Sequence, residues 1–255
     1  MTRFSANLGF LWTDRSLPDA IRAAAAAGFD AVECHWPYDT PADDVAAALA
    51  ETGLPMLGLN TRRGDVAAGE TGLAALPGRE AEARAAIDEA LSYAEAVGAG
   101  AVHVMAGRAE GGAAQAAFIA NLRYACAQAG PGRIILIEPL NPWDAPGYFL
   151  NHTEQAAAII AEIGAPNLRL MFDCYHVGRT EGDVIARLRA LMPLIGHIQF
   201  AAVPDRGPPD HGTLDLAAVF AEIAALGWTA PLGAEYKVAG ATDDTLGWMT
   251  ALRAI

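Results

Sequence analysis

The sequence predicts an α/β fold, a single (β/α)8 TIM barrel over residues 1–255. Three observations carry this: a repeated helix-glycine-strand unit, a length of 255 residues, and oxygen-bearing side chains closing the last four predicted strands. Barrels of this kind run to about 250 residues in one domain, so the length asks for no second one. The repeated unit reads AIRAAAAAGFDAVECH, VAAALAETGLPMLGLN, ALSYAEAVGAGAVHVM, YACAQAGPGRIILIE, AAAIIAEIGAPNLRLMFD and VFAEIAALGWTAPLGAE. Strict alternation favours parallel strands covered by helices, and eight such units favour closure over an open doubly wound sheet. No G-x-G-x-x-G follows the first strand, which removes the main signal of a dinucleotide-binding sheet.

In chain order, the strands are expected near residues 3–8, 30–35, 55–60, 101–105, 133–138, 168–172, 194–199 and 231–235. The first is RFSANL and the seventh LIGHIQF; the other six follow the glycines Gly28, Gly53, Gly98, Gly130, Gly164 and Gly227. Those glycines suit the left-handed position that ends a helix, where a side chain costs energy. Helix starts are marked by Ser16 with Pro18, Thr40 with Pro41 and Asp43, and Thr153 with Glu154, each a hydroxyl placed to cap. Residues 61–78 after strand three and 200–213 after strand seven are too long for plain connections. Loops of that length at strand C-termini are where barrel enzymes build lids and binding surfaces.

Composition narrows the function. Hydrophobic residues make up 53% and charged ones 18%, enough apolar side chain for a large core and against disorder. The net charge of −13, with scattered Lys and Arg, argues against a grip on nucleic acid. Cys34, Cys126 and Cys174 lie far apart without CxxC spacing, which suits reduced thiols and a cytoplasmic location. No stretch reaches the roughly 18 apolar residues that span a bilayer, so no membrane partner is expected. Homo-oligomerisation is left open.

Glu138, Asp173, Gln199 and Glu235 stand at or just past the ends of RIILIE, NLRLMFD, LIGHIQ and APLGAE. A buried carboxylate is costly unless paired or bound to a metal. Any one of these acids could merely cap a loop or meet an arginine. Four in order are harder to set aside, because neighbouring barrel strands lie about 5 Å apart and the side chains would converge. An all-oxygen set suits Mg²⁺ or Mn²⁺ rather than zinc. A divalent metal holding the oxygens of a hydroxy-carbonyl substrate, with Glu138 and Glu235 moving a proton between adjacent carbons, gives aldose–ketose isomerisation through an enediol.

His176, three residues past Asp173, and His103, closing strand four, are candidates to bind substrate; His35 closes strand two. His197 shares a strand side with Gln199, as a packed residue or a supporting partner. His152 and His211 read as ordinary loop residues. Lys237 and Arg206 are candidates for a substrate carboxylate, as are Arg62 and Arg63, and Asn60 at the end of strand three joins the substrate-binding set. For each of these the plain alternative is a solvated side chain.

RFSANL, WPYD at 36–39, GDVAAGETGLAALPGRE at 64–80, IEPLN at 137–141, DCYH at 173–176, GHIQ at 196–199 and EYK at 235–237 together resemble the hydroxypyruvate isomerase family of xylose-isomerase-like barrels. The resemblance covers nearly the whole chain in order. It implies that Glu138, Asp173, Gln199 and Glu235 hold the metal and that Glu138 and Glu235 are the acid/base pair. It also implies interconversion of hydroxypyruvate and 2-hydroxy-3-oxopropanoate, or the same chemistry on a four-carbon 2-oxo-tetronate. The chain departs from the family pattern at Val66 (usually aromatic), Thr71 (usually Arg), Leu59 (usually His) and in GPPDHGT at 207–213. Rival readings are a sugar 3-epimerase or inosose dehydratase, which often offer His where Gln199 stands, and a barrel that binds a sugar acid without converting it. A nuclease fails on charge.

Overall fold

The computed structural model describes residues 1–130 and 132–255; Pro131, in the junction before the fifth predicted strand, lies outside the described residues. Eight parallel strands form one sheet in the order β2-β1-β8-β7-β6-β5-β4-β3. They are β1 (Phe4–Asn7), β2 (Ala31–Glu33), β3 (Gly58–Asn60), β4 (Ala101–His103), β5 (Ile134–Ile137), β6 (Leu168–Asp173), β7 (Ile195–Phe200) and β8 (Leu232–Ala234). The two ends of the order meet through a parallel bridge between Val32 and Met56 and a 2.8 Å bond from Leu57 N–H to the Val32 carbonyl, which closes the barrel. Eight strands appear where eight were expected. Most are shorter than expected, at one end or both.

The helices are α1 (Leu17–Ala26), α2 (Ala42–Thr52), α3 (Glu80–Val97), α4 (Gly111–Ala129), α5 (Thr153–Ile163), α6 (Cys174–Thr180), α7 (Val184–Leu191), α8 (Leu216–Ala225) and α9 (Trp248–Arg253). Ser16 caps α1, its hydroxyl accepting from Asp19 N–H. Two other expected caps fail. Helix α2 is entered at Pro41 with no side-chain cap, and α5 follows His152, because the Thr153 hydroxyl instead donates to Glu181 Oε2 at 2.8 Å. Gly53, Gly98 and Gly164 end their helices with φ of 71°, 67° and 66°, the left-handed geometry that their positions predict. The crossover from β6 to β7 holds two short helices, α6 and α7, that the repeated unit does not reveal.

Helix faces and outward strand side chains form one core, in which Phe4, Phe200, Phe220 and Trp248 pack with ring centroids 4.9 to 5.9 Å apart. Inside the barrel the lower layer is apolar, with Ala101, Leu136 and Met171 in contact. Above it the interior turns polar: Asn7, Glu33, His103, Glu138, Asp173, His176, His197, Gln199 and Glu235 are all buried. So many buried polar groups at one end of a barrel mark the functional end. No helix among the described residues is long and apolar enough to cross a membrane.

Candidate active site

A cavity of about 380 Å³ opens at the C-terminal ends of the strands, lined by Phe10, His35, Trp36, Asn60, Arg63, Thr71, His103, Glu138, Asp144, His176, Arg206 and Glu235, with Gly9, Met105, Leu140 and Ala145 completing the wall. Glu138 sits one residue past β5 and Glu235 one past β8, while Asp173 ends β6 and Gln199 is next to last in β7. The register pairs Asp173 with Gln199 and Gln199 with Gly233, so the strands bring these groups to one level. A second cavity of about 180 Å³ lies beneath, and Asn60 and His103 line both.

Gln199 is oriented by a residue the sequence reading did not single out. Its Nε2 donates to Glu33 Oε1 at 2.7 Å, and its Oε1 is buried without a hydrogen-bond partner. Glu33 also pairs with His197 Nε2 at 2.6 Å and accepts from Asn7 Nδ2 at 3.1 Å. Burial alone would favour a protonated Glu33, but the His197 charge and bond, helped by Gln199, hold it below the ordinary carboxylate range. Burial likewise disfavours the imidazolium of His197, and Glu33 outweighs it and raises the proton affinity. Gly233 makes this arrangement possible: a Cβ there would lie 2.7 Å from Glu33 Oε1 and 2.8 Å from Gln199 Cγ.

Glu235 is fully engaged. Its Oε1 meets His35 Nε2 at 2.8 Å and Asn7 Nδ2 at 3.2 Å, and its Oε2 accepts from Arg206 Nη2 at 2.7 Å. Arg206 is buried between the rings of Phe10 and Tyr175, 4.7 and 5.2 Å from their centroids, and also lies 3.7 Å from Asp173 Oδ2. Its backbone is left-handed, with φ of 60°, pinned by a 2.7 Å bond from Lys237 N–H to its carbonyl. Such backbone in a non-glycine residue is costly and concentrates at functional sites. Asp144 Oδ2 accepts from the Tyr175 hydroxyl at 2.6 Å and so fixes the ring that carries Arg206.

The carboxylates differ sharply. Burial opposes ionisation of Glu235, but the Arg206 guanidinium and His35 overcome it and hold Glu235 well below the ordinary range. Glu138 takes no hydrogen bond among the described residues; burial, then the charges of Glu235 and Asp173, push it well above that range. Burial, with the Glu235 charge, pushes Asp173 up to about 7. Burial brings His103 and His176 down to about 3, so both are neutral. His176 Nδ1 accepts from Asn141 N–H at 2.9 Å, which puts the proton of the neutral ring on Nε2. That nitrogen is a donor aimed into the cavity, 3.7 Å from Asp173 Oδ2 and 4.0 Å from Glu138 Oε1.

These residues fit a divalent cation. Glu138 Oε1, Asp173 Oδ2 and Gln199 Oε1 are buried acceptors with no donor, and Glu138 and Asp173 offer one carboxylate oxygen each within 4.8 Å of the other. A divalent cation bound at these oxygens would replace the protons that burial favours on Glu138 and Asp173, and an all-oxygen donor set suits Mg²⁺ or Mn²⁺. The Nε2–H of His176 makes it a hydrogen-bond donor to a bound oxygen rather than a ligand.

The structure brings Glu138, Asp173, Gln199, Glu235, His176, His103, Asn60 and Arg206 together. Lys237 is exposed and outside the cavity lining, so the structure does not bring it together with the others. Arg62 is drawn away to Glu89, 2.7 Å off on α3. Glu33, Asn7, Asn141, Asp144 and Trp36 were missed. Glu33 carried a usable signal, an acid closing the apolar run DAVE; the loop residues Asn141 and Asp144 carried none.

Residues 21–253 match the family model described as xylose isomerase-like TIM barrel. The chain is 44% identical over 254 residues, 98% of each chain, to the 2-oxo-tetronate isomerase of Cupriavidus necator. The chain belongs to the xylose isomerase-like TIM barrel family. Within that family it is also 36% identical to the hydroxypyruvate isomerase of Escherichia coli, over 99% of this chain and all of that one. A crystal structure from Brucella melitensis, titled AP endonuclease, family 2, superposes with a TM-score of 0.95 at 37% identity, covering 98% of this chain and 99% of that one. Full-length kinship with these isomerases makes the chain an isomerase of the ketol type.

Proposed function

We propose that the chain is a metal-assisted isomerase of a short hydroxy-oxo acid, converting hydroxypyruvate to 2-hydroxy-3-oxopropanoate through an enediol. The observation that carries this reading is one cavity lined by two buried glutamates in opposite surroundings, Glu235 bonded to Arg206 and His35, Glu138 without a hydrogen bond among the described residues. Environments that separate two carboxyls in this way assign one as base and the other as acid. Glu235 takes a proton from carbon 3 and Glu138 returns one to carbon 2. The hydroxyl proton passes from the oxygen on carbon 3 to that on carbon 2, beside the Nε2–H of His176. A divalent cation at Glu138, Asp173, Gln199 and Glu235 supplies electrostatic stabilisation of the charge that develops on the substrate oxygens.

The relatives support the substrate class. Hydroxypyruvate follows from the Escherichia coli enzyme, and the higher identity to the Cupriavidus necator enzyme favours a second reading, a four-carbon 2-oxo-tetronate converted by the same steps. A cavity of about 380 Å³ admits either acid. The acidic floor and a net charge of −13 argue against a nucleic-acid substrate.

The test is proton NMR of hydroxypyruvate in deuterated buffer with Mg²⁺ or Mn²⁺. Wild type should exchange the carbon 3 protons and form aldehyde product. Glu138→Gln and Glu235→Gln should lower turnover at least a thousandfold while keeping the wild-type circular dichroism. Turnover near wild type in either variant removes the proposed acid/base pair.

A further inference from the structure

Glu138, Asp173 and Glu235 close the inner end of the cavity, and the proton transfers proposed above require carbons 2 and 3 of the substrate beside Glu138 and Glu235. The hydroxy-carbonyl end must face the floor and the carboxylate the rim. Two guanidinium groups line this cavity, Arg206 and Arg63. Arg206 is committed to Glu235 and Asp173. Neighbouring loop arginines are committed elsewhere, Arg62 to Glu89 and Arg79 to Glu70 and Glu82. Arg63 is half-buried and has no carboxylate partner among the described residues.

Arg63 is nevertheless held in place. Its guanidinium lies 3.8 Å from the centroid of the Trp36 ring, and Trp36 is fixed by its own Nε1, which donates to the Thr61 carbonyl at 3.1 Å. Stacking engages the face of a guanidinium and leaves its in-plane N–H donors for a planar anion. The Arg63 carbonyl accepts from Gly72 N–H at 2.9 Å, which draws both ends of the loop together. Gly72 tolerates this because it has no Cβ: one would stand 2.6 Å from the Met105 carbonyl. Thr71 is thereby set in the same wall, with its hydroxyl buried and without a partner.

We propose that Arg63, stacked on Trp36 and assisted by the Thr71 hydroxyl, is the substrate-carboxylate clamp and sets the preference of this chain for 2-oxo acids over neutral ketols. This rests on the isomerase reading above and adds the group that orients the substrate. Trp36 is the platform, so the clamp is preorganised before substrate arrives.

The test compares wild type with Arg63→Gln, Arg63→Lys and Thr71→Val. Steady-state rates are measured on hydroxypyruvate and on dihydroxyacetone, its counterpart without a carboxylate, and calorimetry measures binding of D-glycerate, an acid that cannot isomerise. Arg63→Gln should lose about tenfold to a hundredfold in kcat/KM on hydroxypyruvate, mainly through KM, and the same factor in D-glycerate affinity. Arg63→Lys should keep part of both, Thr71→Val should lose severalfold, and dihydroxyacetone rates should not change. Wild-type KM and D-glycerate affinity in Arg63→Gln, or no D-glycerate binding by wild type, overturns the clamp. Failure of wild type to exchange hydroxypyruvate protons while D-glycerate binding still depends on Arg63 overturns the isomerase reading instead.

Discussion

The side-chain amide of Gln199 donates from Nε2 to Glu33 Oε1 at 2.7 Å, and this bond decides which end of the amide is left without a partner. An amide can present either its oxygen or its nitrogen, and only the oxygen can hold a cation. Glu33 is ionised through His197, so it accepts strongly and leaves the Gln199 carbonyl oxygen buried without a donor. Glu33→Gln keeps the shape and removes the charge that fixes the amide. Mn²⁺ affinity, read by calorimetric titration, should fall about tenfold to a hundredfold, as for other groups that orient a metal ligand from behind. Circular dichroism should stay that of wild type, and unchanged Mn²⁺ affinity would refute the positioning role of Glu33.

The sequence revealed the barrel because its signals are local. A glycine that ends a helix, as Gly53 and Gly98 do, depends only on its own backbone, and an apolar run four residues long is buried wherever the sheet closes. Glu138, Asp173 and Glu235 were legible for a related reason: an acid ending an apolar strand has few stable fates. Glu33 presents the same pattern, yet its role depends on a contact across the barrel to His197 and Gln199, 164 and 166 residues away in sequence. Lys237 stands two residues past a site acid, but that spacing said nothing about where the chain turns after β8, and the side chain is exposed outside the cavity lining. Asn141 and Asp144 lie in a loop whose path is set by His176 and Tyr175, partners that no spacing announces. The hydroxyls of Thr40 and Thr153 stood in plausible capping positions, but α2 is entered at Pro41, and Thr153 lies inside the first turn of α5, its N–H and hydroxyl both donating to Glu181.

Arg206 holds the acidic floor together, so its removal should be felt in stability as well as turnover. It is mostly buried, with 12% of its side chain exposed, and has Glu235 Oε2 at 2.7 Å and Asp173 Oδ2 at 3.7 Å. Removing one partner of a buried ion pair costs about 3–5 kcal/mol, because the remaining charge loses its compensation without regaining water. His35 and Asn7 stay on Glu235 Oε1, which places Arg206→Met near the lower end, about 3 kcal/mol. Urea unfolding with and without Mn²⁺ checks this. The cation should restore more stability to the variant than to wild type, because it meets an uncompensated floor. Equal stability of variant and wild type without metal would show that the guanidinium does not neutralise these carboxylates.

Asp173 gives stability a specific dependence on pH. Burial and the Glu235 charge raise it from the ordinary 3.8 to about 7 in the fold. Between those values the folded protein keeps a proton that the unfolded chain has lost, so this contribution is fully present below 3.8 and is lost as pH rises through about 7. His103 and His176, lowered from 6.5 to about 3, act in the opposite direction below 6.5, because the fold refuses the protons that the unfolded chain takes. The comparison is therefore made with Asp173→Asn, which keeps both histidines and removes the titrating group. The melting temperature of metal-free wild type, relative to that variant, should fall by a few degrees between pH 5 and pH 8. Mn²⁺ competes with the same proton, so it should stabilise wild type more at pH 8 than at pH 5 and release protons when it binds near pH 6. A wild-type melting temperature that tracks the variant across this range would mean that Asp173 is already ionised in the folded protein at pH 5, with Arg206 rather than a proton balancing it.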